Sequence, residues 1–215
     1  KIKLVSTDIL QDKKWQKESL APTIELIFKE IHEAKNSGYD LVVLPESVFP
    51  LYMNKAPQII EELRYLSHNI AIVAGSLLSE DGMQYNVTYM FENGKFEVAK
   101  KLVLVPFGEY IPLPKFAQEF INKIFFGGAS DFKTAATPTD FTIKGVKFRN
   151  AICYEATCQE IYGGDVDFVL AISNNAWFAP SIEPTLQKLL MRYYARKNGT
   201  TIYHSANYKG SGIIK

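Results

Sequence analysis

Cysteine and histidine are scarce in this sequence, and the scarcity limits the kinds of site it can build. The 215 residues include two cysteines, Cys153 and Cys158, and three histidines, His32, His68 and His204. Two cysteines do not make a disulfide framework in a chain of this length, so we expect no bridge between them. The histidines lack the spacing of metal ligands, and we expect neither a metal site nor a cofactor.

Long apolar runs and strong net charge are also missing. No run of about 18 apolar residues occurs, so the sequence predicts no membrane-spanning helix, and no signal peptide is visible. The net charge of +1 without a clustered basic surface argues against a nucleic-acid partner. A hydrophobic content of 47% and a charged content of 22% are typical of a globular protein. We expect one domain over residues 1–215. Because strand-like segments lie directly at both ends, we expect this domain to be a fragment of a longer protein.

Apolar periodicity divides the chain into alternating strands and helices. Strands are predicted at Ile2–Ile9, Tyr39–Leu44, Ile70–Leu78, Gln84–Phe91, Lys95–Lys101, Thr139–Ile143, Val146–Cys153, Asp167–Ser173 and Thr200–Ala206. Helices are predicted at Glu18–Ser37, Pro57–His68, Glu155–Tyr162 and Glu183–Lys197. Helix-linked strands favour parallel pairing, whereas the short turns favour hairpins, so we expect a layered α/β domain with mixed sheets.

Glu46 is the first candidate for a functional residue. It follows Leu44-Pro45 at the carboxyl end of a strand that reads as buried. Ligand sites of α/β sheets gather at that edge, so a carboxylate here suggests a functional site. A solvent-facing loop glutamate explains the same position equally well.

Lys101 is the second candidate. Lys100 and Lys101 meet the apolar run Leu102–Val105, after which Pro106 and Gly108 predict an irregular loop that carries Glu109. The alternative explanation is a pair of lysines that protects an edge strand from aggregation.

Cys153 is the third candidate. It ends an apolar strand and precedes the predicted helix Glu155–Tyr162. A helix N-terminus would favour the reactive thiolate form of the side chain. An ordinary buried core cysteine is the competing interpretation, because free cysteines are often buried.

The three candidates together suggest one site, since each falls at the end of a predicted strand. Cysteine supplies a nucleophile, glutamate a base, and lysine a cation for a developing oxyanion. Such a set suits acyl transfer or amide cleavage through a thioester. A papain-like Cys–His pair is disfavoured, because His204 is the only late histidine and it sits inside an apolar strand.

In order and setting, Glu46, Lys101 and Cys153 resemble the Glu–Lys–Cys triad of the nitrilase superfamily of carbon–nitrogen hydrolases. Within that superfamily the sequence is similar to the apolipoprotein N-acyltransferase branch. The segments that carry this resemblance are Gln11–Trp15, Val105–Pro112, Ile152–Glu155 and Ile172–Phe178. Lys101, rather than Lys100, stands eight residues before Glu109, as in the family. The resemblance implies a four-layer α-β-β-α sandwich.

The resemblance also implies an activity. Cys153 would take an acyl chain from a phospholipid as a thioester and pass it to the N-terminal diacylglyceryl-cysteine of an apolipoprotein. Glu46 would be the general base and Lys101 the oxyanion partner. The supporting residues would be Glu109, Tyr154 and Glu155, and those that contact substrate would be Trp15, Asn174 and Trp177. In the family this domain sits on the periplasmic side of the bacterial inner membrane, between membrane helices that this chain lacks.

One further segment fits contact with a membrane surface. Lys115–Phe126 has a helical apolar stripe made of Phe116, Phe120, Ile121, Ile124 and Phe125. An interfacial helix has this pattern, and so does a helix packed on a protein core.

Two other functions remain open at this point. A soluble amidase or carbamoylase that hydrolyses a small amide would use the same triad. A catalytically silent module that only binds lipid or a protein would not need it, and the presence of all three residues argues against that module.

Overall fold

The computed structural model describes residues 1–105, 109 and 132–215. The phenylalanine-rich segment at 115–126 lies outside the described residues, and so does most of the loop at 105–112. Within the described part of the chain, no helix combines the length and the apolar character needed to cross a bilayer.

The first half of the chain forms a five-stranded sheet in the order β1-β2-β3-β4-β5. Its strands are β1 (Ile2–Leu4), β2 (Leu41–Val43), β3 (Ala71–Glu80), β4 (Met83–Glu92) and β5 (Lys95–Lys100). The helices of this half are α1 (Gln11–Lys14), α2 (Lys17–Asn36) and α3 (Pro57–Leu66). Strands β1 to β3 are parallel, while β3, β4 and β5 pair as hairpins. The β4–β5 turn uses Asn93 and Gly94, both at positive φ, as a two-residue hairpin requires.

The second half forms another five-stranded sheet, in the order β10-β9-β8-β7-β6. Its strands are β6 (Asp140–Ile143), β7 (Val146–Ile152), β8 (Phe168–Asn174), β9 (Ile202–Asn207) and β10 (Gly212–Ile214). Strands β7, β8 and β9 are parallel, and the two outer pairs are antiparallel. Helix α4 (Glu183–Asn198) connects β8 to β9 and ends at Gly199 in the left-handed conformation.

Three apolar layers hold these elements together and give the four-layer α-β-β-α sandwich that was predicted. One layer lies between the first sheet and α2 and α3, and includes Ile27, Ile31, Leu63, Val42, Ile72 and Phe91. The middle layer joins the two sheets and includes Val43, Val73, Met90, Phe148, Ile152 and Ile172. The third lies between the second sheet and α4, and includes Ala151, Val169, Ala171, Met191 and Ala195.

Two predicted elements were wrong in extent or type. The strand predicted at Ile2–Ile9 ends at Leu4, and Thr7 makes only an isolated bridge to Asn207 of the other sheet. The helix predicted at Glu155–Tyr162 is instead two 3₁₀ turns, Cys153–Thr157 and Gln159–Ile161. The backbone of Cys158 is extended between them, so an α-helix cannot continue.

Candidate active site

Cys153 stands at a sharp bend directly after strand β7. Its φ of 56° lies in the left-handed region, which a non-glycine residue adopts only when its surroundings impose it. The bend turns the chain from the strand into the first 3₁₀ turn and leaves the thiol buried. A strained backbone at a strand end is typical of residues that are held for chemistry.

Glu46 is buried at the carboxyl end of β2, and its carboxylate is held from two sides. Oε1 accepts a hydrogen bond of 2.8 Å from the Asn86 side chain, and Oε2 accepts one of 2.8 Å from the Asn174 backbone. Asn174 ends strand β8 of the second sheet, so the carboxylate bridges the two sheets. The solvent-facing loop glutamate that was considered from the sequence is thereby excluded.

Lys101 follows β5 and is fully buried between two carboxylates. Its Nζ lies 2.7 Å from Oε2 of Glu109 and 3.5 Å from Oε1 of Glu46. Burial by itself would lower the pKa of Lys101, but these carboxylates outweigh burial and raise it. Lys100 points the other way and pairs with Glu80 at 2.5 Å on the surface. Of these two lysines, Lys101 is the one that lies in the buried cluster.

The electrostatics of the thiol differ from the sequence-based expectation. Burial raises the pKa of Cys153, the Glu46 charge raises it further, and Lys101 offsets only part of the rise. The predicted helix N-terminus is a five-residue 3₁₀ turn, so it does not lower the pKa as expected. A raised pKa favours the protonated thiol, so attack by sulfur calls for a base that removes the proton.

Glu109 and Glu155 each accept hydrogen bonds from backbone N–H groups, and each also interacts with the charge of Lys101. Glu109 accepts hydrogen bonds from the Val105 backbone at 2.9 Å and the Asn86 side chain at 3.0 Å. Burial alone would raise the pKa of Glu109, but the adjacent Lys101 ammonium lowers it. Glu155 is buried and accepts from the backbones of Ile152, Val103 and Leu102. Burial raises the pKa of Glu155 to about 6, against the smaller opposing effect of Lys101.

Four other predicted site residues surround this centre at different depths. Asn174 is buried, and its side chain hydrogen bonds to Gln11 and Asn207. Trp177, in the 3₁₀ turn Asn175–Phe178, is exposed, but its Nε1 lies 3.2 Å from the Asn174 side-chain amide. Trp15 and Tyr154 are also exposed, at the end of α1 and directly after Cys153.

Three buried polar residues of the site were missed in the sequence. Lys14 donates 3.0 Å to the backbone oxygen of Glu46, and burial lowers its pKa to about 8. Asn86 bridges Glu46 and Glu109, and Gln187 of helix α4 lies 3.8 Å from the Cys153 sulfur. A lone asparagine within the apolar strand β4 was a usable signal for Asn86. Lys14 and Gln187 gave no such signal, because surface residues dominate their neighbourhoods in the sequence.

The assembled centre brings a nucleophile, a carboxylate and a cation into one buried cluster. Glu46 can accept the thiol proton, and the Lys101 ammonium can stabilise negative charge on a substrate oxygen. Burial strengthens both effects because water does not screen them. The cluster is therefore suited to attack of a thiol on an ester or amide carbonyl.

Known proteins of one family are similar to this chain along almost its whole length. Residues 6–210 match the family model described as carbon-nitrogen hydrolase. A protein from Wolinella succinogenes named apolipoprotein N-acyltransferase is 50% identical over 99% of this chain and 52% of its own length. A protein of the same name from Helicobacter pylori is 40% identical over 99% of this chain and 50% of its own length. The chain thus spans about half the length of the curated relatives it matches.

Solved structures share the fold at low sequence identity. A CN-hydrolase superfamily protein from Xanthomonas campestris has a TM-score of 0.69 and 16% identity, covering 97% of this chain and 76% of that one. An amidase from Nesterenkonia sp. AN1 has a TM-score of 0.66 and 14% identity, covering 96% of this chain and 77% of that one. At this identity the likeness establishes the fold alone.

Proposed function

The chain belongs to the carbon–nitrogen hydrolase family, and we propose that it is the catalytic domain of an apolipoprotein N-acyltransferase. The observation that carries the proposal is the 50% identity, across almost the whole chain, to a relative with that name. The buried cluster of Glu46, Lys101 and Cys153 supports it, because these groups can supply the base, the cation and the nucleophile for acyl transfer through a thioester.

In the first half-reaction, Cys153 attacks the ester carbonyl carbon of a phospholipid while Glu46 takes the thiol proton. The Lys101 ammonium stabilises the negative oxygen of the tetrahedral intermediate. The intermediate then collapses, the carbon–oxygen bond to the glycerol breaks, and the leaving alkoxide takes the proton from Glu46. A lysophospholipid departs, and the acyl chain remains on Cys153 as a thioester.

In the second half-reaction, the α-amino group of a diacylglyceryl-cysteine attacks the thioester carbonyl. Glu46 accepts a proton from that nitrogen, and Lys101 again stabilises the oxyanion. The carbon–sulfur bond breaks, the Cys153 thiolate recovers the proton, and an amide is formed. Burial of Cys153 favours this transfer over hydrolysis, because it limits access of water to the thioester.

The remaining predicted residues position the triad or contact the lipid. Glu109 holds Lys101 in place through the contact of 2.7 Å, and Glu155 fixes the backbone on both sides of the centre. Asn174 orients Glu46 through its backbone N–H. The exposed rings of Trp15 and Trp177, with Tyr154, offer apolar surface to lipid at the mouth of the site.

The proposed partners follow from this chemistry. A phospholipid is the acyl donor, an apolipoprotein is the acceptor, and the domain works at the periplasmic surface of the bacterial inner membrane. The name that the relatives carry supports an apolipoprotein acceptor. Neither half-reaction requires a cofactor.

Intact-protein mass spectrometry after incubation with phosphatidylethanolamine in detergent tests the proposal. We expect an added fatty-acyl mass on the wild-type chain and on Cys158→Ser, but not on Cys153→Ala. Addition of a diacylglyceryl-cysteine peptide should remove that mass and produce an N-acylated peptide. Cys158 is the matched control because it is the second free thiol.

Two outcomes would contradict the proposal. Acylation of Cys153→Ala would show that another residue is the nucleophile. Absence of any lipid adduct, together with Cys153-dependent hydrolysis of short amides by the same sample, would make the chain an amidase.

A further inference from the structure

Helix α4 has apolar residues on two opposite faces. Its inner face buries Pro184, Gln187, Met191 and Ala195, and Met191 and Ala195 pack on the second sheet. Its outer face carries Leu186, Leu189, Leu190 and Tyr193, spaced as i, i+3, i+4 and i+7, which is a helical stripe. The outer face is defined here with two preceding residues: Trp177 (63% exposed), Ile182 (72%), Leu186 (50%), Leu189 (54%), Leu190 (47%) and Tyr193 (56%).

Such an arrangement differs from the scattered exposed apolar residues of ordinary surfaces. Single exposed leucines are normal, but contiguous apolar patches mark sites of interaction. Ile182 accepts the backbone hydrogen bond of Leu186 one turn later, so it continues the stripe toward the N-terminus of the helix. The outer face therefore extends along the helix from its first turn to Tyr193.

The charges beside the outer face are positive. Lys188, Arg192 and Arg196 recur every four residues and form a basic row along one edge of the stripe, while Glu183 is the only acidic residue of the helix. An apolar stripe bordered by lysine and arginine is the pattern of a helix that lies in the interface of an anionic bilayer. An antiparallel two-fold contact with a second copy of the chain would set the two basic rows side by side, which like-charge repulsion disfavours.

The outer face is also connected to the candidate active site. The same helix places Gln187 3.8 Å from the Cys153 sulfur. Trp177 belongs to the turn that follows Asn174, whose backbone N–H holds Glu46. A surface that binds lipid here would be one helix away from the nucleophile.

We propose that the outer face of α4 docks on the surface of a bilayer that contains anionic phospholipid. The choice of a bilayer rests on the proposed function, which requires a phospholipid acyl donor. Docking would place the centre that carries Cys153 beside its donor and would leave the fold unchanged.

Vesicle flotation with the 215-residue chain tests the proposal. We expect the chain to bind vesicles of phosphatidylethanolamine with phosphatidylglycerol, and to bind more weakly when neutral phosphatidylcholine replaces phosphatidylglycerol or when salt is raised. The triple variant Leu186→Asn/Leu189→Asn/Tyr193→Asn should lower the partition coefficient at least about tenfold, because three apolar contacts are lost.

The matched control is Leu26→Asn/Tyr65→Asn, which removes exposed apolar side chains from α2 and α3. It should bind vesicles like the wild-type chain, and circular dichroism should show both variants folded. The proposal would be overturned by a triple variant that floats as well as wild type, by no flotation with either lipid, or by a dimer that the triple variant abolishes.

The same experiment separates this inference from the proposed function. Flotation requires no chemistry, so Cys153→Ala should bind vesicles normally. Vesicle binding without an acyl-enzyme would support the surface and contradict the acyltransferase. An acyl-enzyme in detergent without vesicle binding would do the reverse.

Discussion

The carboxylate of Glu155 accepts the backbone N–H of Ile152 at 2.6 Å, from the residue that immediately precedes Cys153. The same carboxylate accepts the backbone N–H of Val103 at 3.0 Å, two residues after Lys101. One buried side chain thus ties the segment that carries the thiol to the segment that carries the cation. The relative position of Cys153 and Lys101 depends on it.

The first prediction concerns the pH dependence of stability. Burial raises the pKa of Glu155 to about 6, from about 4.5 for an ordinary glutamate in water. Between these values the folded state binds more protons than the unfolded state, so this residue makes stability fall as pH rises. Relative to Glu155→Gln, we expect the wild-type free energy of unfolding to fall by about 2 kcal/mol from about pH 4 to about pH 7.

Chemical denaturation at several pH values measures this difference. Glu160→Gln is the control, since it removes an exposed carboxylate from the neighbouring 3₁₀ turn. Parallel pH profiles for wild type and Glu155→Gln would refute the assignment.

The role of Glu155 also shows where reading the sequence succeeded and where it could not. The positions of Glu46, Lys101 and Cys153 at strand ends were predictable, because strand ends are visible in apolar patterns and in prolines, whereas their roles as a triad came from the family resemblance. The prediction of a helix at Glu155–Tyr162 was wrong, because apolar periodicity cannot show that the Glu155 side chain is buried and hydrogen-bonded to backbone N–H groups. The contacts of Glu155 with Leu102 and Val103 join residues about fifty positions apart.

The sheets were predictable for a related reason. A long apolar segment such as β3 predicts a strand, and a turn sequence such as Asn93-Gly94 predicts a hairpin, from neighbouring residues alone. Lys14 and Gln187 could not be found in this way, since each is buried and makes contacts with residues more than thirty positions away.

The second prediction compares the two adjacent lysines. Lys101→Met would leave Glu109 buried without its cation, and we expect a cost of about 3–5 kcal/mol in the free energy of unfolding at neutral pH. Lys100→Met removes a partly exposed ion pair and should change that free energy by about 0.5 kcal/mol or less. The cost of Lys101→Met should shrink in mild acid, because burial raises the pKa of Glu109 once the lysine is gone and that carboxylate can then take up a proton.

Denaturation curves for both variants at neutral and mildly acidic pH test this. Equal destabilisation by the two substitutions would show that the buried pair with Glu109 contributes no more than the surface pair.

The third prediction concerns the need for a base. Because burial raises the pKa of Cys153, its thiol should acylate only with help from Glu46. Glu46→Gln should slow the acylation of Cys153 by a small activated ester by about 10²–10⁴-fold. Acylation of the partly exposed Cys158 by the same ester should be unchanged.

Peptide mapping by mass spectrometry follows the two thiols separately within one sample, so Cys158 serves as the internal control. Rapid acylation of Cys153 in Glu46→Gln would mean that its thiolate is already formed at rest and that another group sets its reactivity.

The fourth prediction concerns a glycine that makes room for the base. A Cβ atom added at Gly75 would lie 2.4 Å from the Ser47 nitrogen, 2.6 Å from the Glu46 Cα and 2.7 Å from the Pro45 oxygen. All three are backbone atoms, so β3 or the segment that carries Glu46 must move. We expect Gly75→Ala to lower the free energy of unfolding by about 1–3 kcal/mol. It should also slow acylation of Cys153, because displacement of Glu46 separates the base from the thiol.

The adjacent variant Ser76→Ala is the control. It loses hydrogen bonds to the Phe49 and Leu51 carbonyls and should be destabilised by a similar amount. Acylation rates measured well below the unfolding temperature then distinguish displacement of the base from general destabilisation. If Gly75→Ala and Ser76→Ala acylate at the same rate, the close packing of Gly75 against Glu46 serves only the fold.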